Sequence, residues 1–145
     1  MIKAVIFDMD GTLVDTERLG IKAWKAGAAE LGVAIDDALI HQFIGRTLPD
    51  VMDILDEHYG SRETAEAIYV RHKEIRDEIV KTELELKAGA AECLDELLAA
   101  DYHVGLATSS RHVTAERNLK MVGLFDKFET VNFRRSEERF SRNAE

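Results

Sequence analysis

Two aspartates two residues apart, Asp8 and Asp10, follow the apolar run Lys3 to Phe7 and lead into Gly11 and Thr12. Acids at the carboxyl end of a buried strand stand where open α/β sheets place their ligands. There they suit a hard, oxygen-preferring cation such as Mg2+, which keeps several waters and bridges to a phosphate. An ionised aspartate is also a nucleophile for phosphoryl transfer. A second acid beside it can give a proton to the leaving oxygen and later activate water. Gly11 permits a tight turn with close backbone approach, and Thr12 adds a hydroxyl. Taken alone, Asp-x-Asp-Gly-Thr is also the composition of a plain turn after a strand. A calcium loop fits poorly, because its closing acidic position falls on Leu19.

The elements that must hold these acids are readable from pattern. Lys3 to Phe7 is β-branched and aromatic, the signature of a fully buried strand. From Thr16 to about Gly32 the apolar residues Ile21, Trp24, Ala28 and Leu31 recur at helical spacing, with Gly32 as the stop. Leu39, Ile40, Phe43 and Ile44 line one further helical face, and Leu48, Val51, Met52 and Leu55 another, with Pro49 in a first turn. The longest helix is expected to start at Ser61, its cap, and to carry Ala65, Ile68, His72, Ile75 and Ile79 on one stripe. Then strand and helix alternate: a helix over Gly89 to Ala100, a buried strand over Tyr102 to Ala107, and a polar end at Thr108, Ser109 and Ser110. A helix from His112 to Val122 stops at Gly123, and Phe128 to Phe133 makes a strand with Phe128, Thr130 and Asn132 on one side. Strands separated by helices imply parallel pairing through right-handed crossovers. The expected fold is α/β: an incomplete Rossmann-like parallel sheet over 1–15 and 85–133, a helical cap inserted after the first strand over 16–84, and an irregular tail over 134–145.

Composition sets outer bounds. With 145 residues, 46% apolar and 32% charged, the chain has the balance of one ordinary globular domain with an insertion. A net charge of -9 argues against a nucleic-acid backbone as partner. No apolar run reaches the roughly 20 residues that span a bilayer, so a cytoplasmic setting is expected. The single cysteine, Cys93, sits among Ala90, Leu94 and Leu97 and is expected as a small buried hydrophobe. Trp24 is expected in a packing role rather than stacked on a substrate. The histidines at 41, 58, 72, 103 and 112 have no metal-ligand neighbour set and are assigned no chemistry.

The segment Val5 to Glu17, Val-Ile-Phe-Asp-Met-Asp-Gly-Thr-Leu-Val-Asp-Thr-Glu, resembles the first motif of the haloacid dehalogenase superfamily, in the branch of β-phosphoglucomutase and phosphoglycolate phosphatase. Val104 to Ser110 is similar to its second motif, a strand ending in a threonine or serine. The resemblance implies a phosphatase or phosphomutase working through an aspartyl-phosphate. By position, Asp8 would attack phosphorus and ligate Mg2+. Asp10 would act as acid and base while giving its carbonyl to the metal, and Thr108 would hold the phosphoryl group. Gly11, Thr12, Ser109 and Ser110 would bind substrate, the serines at a helix N-terminus, where anions are favoured. Gly45-Arg46-Thr47 resembles a substrate-facing cap loop, so Arg46 would grip the non-transferring part of a small phosphorylated metabolite. A solvated surface arginine is the alternative.

The resemblance also breaks. Relatives continue with a Lys-Pro segment and then a strand ending in acids that complete the metal site, and neither follows Val131 here. The pattern reads as truncated at its C-terminus, so the chain is expected to be a weak or inactive phosphatase. A phosphomutase, or a catalytically dead fragment serving as a binding or assembly module, are the alternatives. The first strand is expected to keep an uncovered edge, which a homodimer or a segment swap would cover.

Overall fold

A computed structural model describes residues 2–132. Its elements run β1 (Ala4–Phe7), α1 (Thr16–Glu30), α2 (Asp37–His41), α3 (Leu48–Tyr59), α4 (Arg62–Glu83), α5 (Ala90–Ala99), β2 (His103–Ala107), α6 (His112–Met121) and β3 (Thr130–Asn132), with a single 3-10 turn at Phe125–Lys127. They form two compact units: residues 2–16 with 84–132, and Glu17–Glu83. The tail expected over 134–145, and Phe133 of the last expected strand, lie outside the described residues.

The first unit is a parallel sheet in the order β1-β2-β3. Its register sets Phe7 against Leu106 and Leu106 against Val131. Each strand-to-strand crossover moves the same way across the sheet, and right-handedness then puts their helices on the same face. On that face Val104 and Leu106 pack with Ala90 and Leu94 of α5, Ala115 and Leu119 of α6, and Leu124 and Phe128 beyond. The other face is open among the described residues: Ala4, His103, Ala107, Thr130 and Asn132 are exposed, and Ile6 is 69% exposed.

This corrects two sequence expectations. β1 is not buried on both sides, because an apolar β-branched run looks the same whether one face is covered or two. Phe128 does not share a side with Thr130 and Asn132: it is buried ahead of β3 while they are exposed. Gly105 lies in the middle of the open face, where a Cβ would come within 3.0 Å of Thr130 Oγ1 and 3.7 Å of Ile6 Cγ1. The outer edge of β1 pairs with no described strand. Cys93 is a third correction. It is exposed, because the buried stripe of α5 runs through Ala90 and Leu94 and leaves position 93 on its flank.

The second unit packs Trp24 and Ala28 of α1 with Leu39 and Ile40 of α2, Phe43, Val51, Met52 and Leu55, and Ala65 and Ile68 of α4. The Trp24 ring lies 5.0 Å from that of Phe43, in a packing role as expected. Its helices are delimited by local chemistry. Asp36 accepts from Leu39 N–H at 2.8 Å, and Thr47 and Asp50 form a reciprocal capping box with Pro in the first turn of α3. Gly60 closes α3 in the left-handed region at φ 65°. Ser61 Oγ accepts from Thr64 N–H at 3.2 Å. Ile44 departs from its expected face and is 57% exposed, because α2 ends at His41 and the chain turns before the next helix. No described helix is long and apolar enough to cross a membrane.

Candidate active site

β1 and β2 are adjacent and parallel, so their carboxyl ends open at the same edge of the sheet. Phe7 pairs with Leu106, which brings Asp8 and Thr108 out of neighbouring strands just past that last rung. After Asp8 the backbone coils on itself: Met9 C=O accepts from Leu13 N–H at 2.9 Å and from Val14 N–H at 3.2 Å, while Gly11 N–H donates to Val14 C=O at 2.9 Å. Gly11 has φ 76°, which glycine adopts without a Cβ penalty. The Met9 side chain is buried, so the loop is anchored inward while Asp8, Gly11 and Thr12 are exposed and Asp10 is half-buried.

The loop is strapped to a distant segment. Val14 bridges Leu86 in antiparallel fashion. Asp15 N–H donates to Glu85 C=O and Lys87 N–H to Leu13 C=O, both at 2.9 Å. Lys87 Nζ also lies 3.3 Å from Asp15 Oδ1. Nothing in the sequence pattern pointed to this strap, since it joins short irregular stretches far apart in the chain.

Across the sheet edge, Thr108 is buried and its N–H donates to Asn132 C=O at 3.0 Å. Ser110 N–H donates to Thr108 Oγ1 at 3.1 Å. Ser110 Oγ donates to Asp10 Oδ2 at 2.6 Å, a link spanning 100 positions of sequence. One short chain of hydrogen bonds therefore joins Asp10, Ser110 and Thr108. Ser109 is exposed beside them. α6 follows at once, and its N-cap residue Arg111 makes no side-chain capping bond, so the opening N–H groups of that helix favour an anion.

Of the residues singled out in the sequence, Asp8, Asp10, Gly11, Thr12, Thr108, Ser109 and Ser110 all belong to this edge of the first unit. Arg46 lies in the second unit, exposed between α2 and α3. There Gly45 has φ 73°, and Arg46 N–H donates to Phe43 C=O at 3.1 Å. The oxygens of Asp8 and Asp10 are of the kind a hard cation takes. Among the described residues, no group of three or more His, Cys, Asp or Glu side chains is arranged to hold a metal ion.

Comparison with known proteins gives a consistent answer. Residues 5–139 match the family described as haloacid dehalogenase-like hydrolase. The phosphorylated carbohydrates phosphatase of Thermotoga maritima is 28% identical over 132 residues, 91% of this chain and 61% of that protein. The β-phosphoglucomutase of Bacillus subtilis is 26% identical over 137 residues, 90% of this chain and 60% of that protein. Among solved structures, a haloacid dehalogenase family hydrolase of Deinococcus radiodurans R1 with bound phosphate and sodium superposes with a TM-score of 0.71 at 25% identity, covering 91% of this chain and 58% of that one. The chain thus spans about 60% of the length of these curated relatives.

Proposed function

Since the chain belongs to the haloacid dehalogenase-like hydrolases, we propose that it is a magnesium-dependent phosphatase of small phosphorylated metabolites, acting through an aspartyl-phosphate on Asp8. The observation that carries this reading is the hydrogen-bonded convergence of Asp10, Ser110 and Thr108 at the strand edge from which Asp8 emerges.

In the first step an oxygen of Asp8 bonds to phosphorus, the bond from phosphorus to the leaving oxygen breaks, and Asp10 gives that oxygen its proton. In the second, Asp10 takes a proton from water, the water oxygen bonds to phosphorus, and the bond to Asp8 breaks to release phosphate. Thr108 donates its hydroxyl to a phosphoryl oxygen, with Gly11, Thr12 and Ser109 lining the substrate's approach and the opening N–H groups of α6 favouring its charge. Mg2+, held by the carboxylate of Asp8 and the backbone carbonyl of Asp10, would neutralise charge developing on the phosphoryl oxygens.

Two acids are a sparse set for that cation, and among the described residues no third joins them. Turnover by this chain is therefore proposed to be weak, below the roughly 1 per second at the low end of ordinary enzymes. The β-phosphoglucomutase relative favours a second reading, in which a sugar hydroxyl replaces water as acceptor.

Hydrolysis of p-nitrophenyl phosphate with and without Mg2+ tests the assignment. Slow, metal-dependent turnover that disappears in Asp8→Asn is expected. Turnover indifferent to Asp8→Asn, or no turnover and no thermal stabilisation by Mg2+ with beryllium fluoride, would overturn it.

A further inference from the structure

Ser110 makes two hydrogen bonds at the candidate site, and their directions constrain what it can do. Its hydroxyl has one hydrogen, and that hydrogen goes to Asp10 Oδ2 at 2.6 Å. The distance falls in the short range of an O–H donor on a carboxylate, roughly 2.5–2.7 Å. Its N–H goes to Thr108 Oγ1 at 3.1 Å. A serine used this way has no hydroxyl hydrogen left for a substrate phosphate.

We infer that Ser110 is a positioning residue for proton transfer rather than a phosphate ligand. By holding Oδ2 of Asp10, it leaves Oδ1 as the oxygen presented to the leaving group. By filling a lone pair of Thr108 Oγ1 with a backbone donor, it leaves the Thr108 hydrogen free to point at an anion. The two strand ends are thereby set in one geometry by one residue. Misplacing a reacting group by about 1 Å is enough to lose roughly a hundredfold in rate. The inference rests on the proposed assignment of Asp10 to proton transfer.

The test compares two phosphate monoesters that differ in how much they need a proton. The leaving oxygen of glycerol 2-phosphate is a poor leaving group without one, whereas nitrophenolate departs from p-nitrophenyl phosphate unaided. In the full chain with Mg2+, Ser110→Ala should lower kcat/KM for glycerol 2-phosphate by about ten- to hundredfold. It should lower kcat/KM for p-nitrophenyl phosphate by less than about threefold, on the same reasoning that little proton transfer is needed. Ser110→Thr, which keeps the hydroxyl, should recover most of the loss. Equal losses on both esters, or weakened binding of inorganic phosphate, would overturn the inference and make Ser110 a structural residue or a phosphate ligand. A readout independent of turnover is the carboxyl carbon resonance of Asp10 at fixed pH. It should move in Ser110→Ala while that of Asp8 stays, and an unmoved Asp10 signal refutes the contact. Turnover that survives Asp8→Asn would instead strike the phosphatase reading and leave the resonance result standing.

Discussion

The imidazole of His72 lies face to face with the indole of Trp24, ring centroids 3.8 Å apart and planes 5° from parallel. His72 is buried, and neither ring nitrogen has a hydrogen-bond partner among the described residues. Burial, with the nearby Arg76 charge adding to it, lowers its pKa to about 3. The unfolded chain would take up the proton near the ordinary value of 6.5. As pH falls below about 6.5 the unfolded state gains protons that the folded state refuses, so stability declines, and it goes on declining toward about 3. One such group contributes at most about 1.4 kcal/mol per pH unit over that window. His72→Phe keeps a ring against Trp24 and should flatten the fall in Tm between pH 6.5 and 4. An unchanged slope would mean that His72 is not the acid-sensitive group.

Gly27 and Gly105 should respond differently to alanine. A Cβ at Gly27 would meet the backbone of α4, at 3.0 Å from His72 N and 3.4 Å from Arg71 C, so two helices must move apart. Overpacking of this kind costs about 1–3 kcal/mol. At Gly105 the closest atom is the side-chain Oγ1 of Thr130, also at 3.0 Å, which a rotamer change can withdraw. Thermal melts should show Gly27→Ala losing more than Gly105→Ala, and the reverse order would contradict the close approach of α1 and α4.

Thr47 holds the start of α3 through its exchange with Asp50, whose carboxyl is held below its ordinary pKa by the Thr47 side-chain and backbone donors. Thr47→Ala should cost about 1 kcal/mol, read as a lowered urea midpoint. A full-strength midpoint would show that the neighbouring turn is fixed by Gly45 alone.

Mg2+ binding should raise Tm in proportion to the logarithm of its concentration above saturation. Asp8→Asn and Asp10→Asn should each flatten that dependence. A dependence retained in both variants would place the cation elsewhere.

The placement of the candidate site at one sheet edge was readable because strand ends advertise themselves: an apolar run that stops at Asp8, and another that stops at Thr108, locate that edge once parallel pairing is granted. The partner of Asp10 was not readable. A serine 100 positions away enters no periodic pattern, and its choice of carboxylate over solvent depends on register and rotamer. The stacking of His72 on Trp24 was hidden for the same reason, since helical spacing gives a face and not a neighbour on another helix. Cys93 shows the limit of spacing within a helix: it lies three and four residues from Ala90 and Leu97, yet the stripe that is buried centres on Leu94.

The strap between Leu13–Asp15 and Glu85–Lys87 has a further consequence for how the chain folds and how it can be cut. Loop closure costs about 0.6 kcal/mol more for each doubling of loop length, and β1 must find β2 across the whole intervening helical unit. Because the strap clamps the two ends of that unit side by side, prior folding of Glu17–Glu83 shortens the search to a near-local one. The same clamp makes the junction a grafting point: a two-residue hairpin turn in place of the helical unit would preserve the ladder, leaving a minimal sheet on which the proposed role of Asp8 can be tested without its companion.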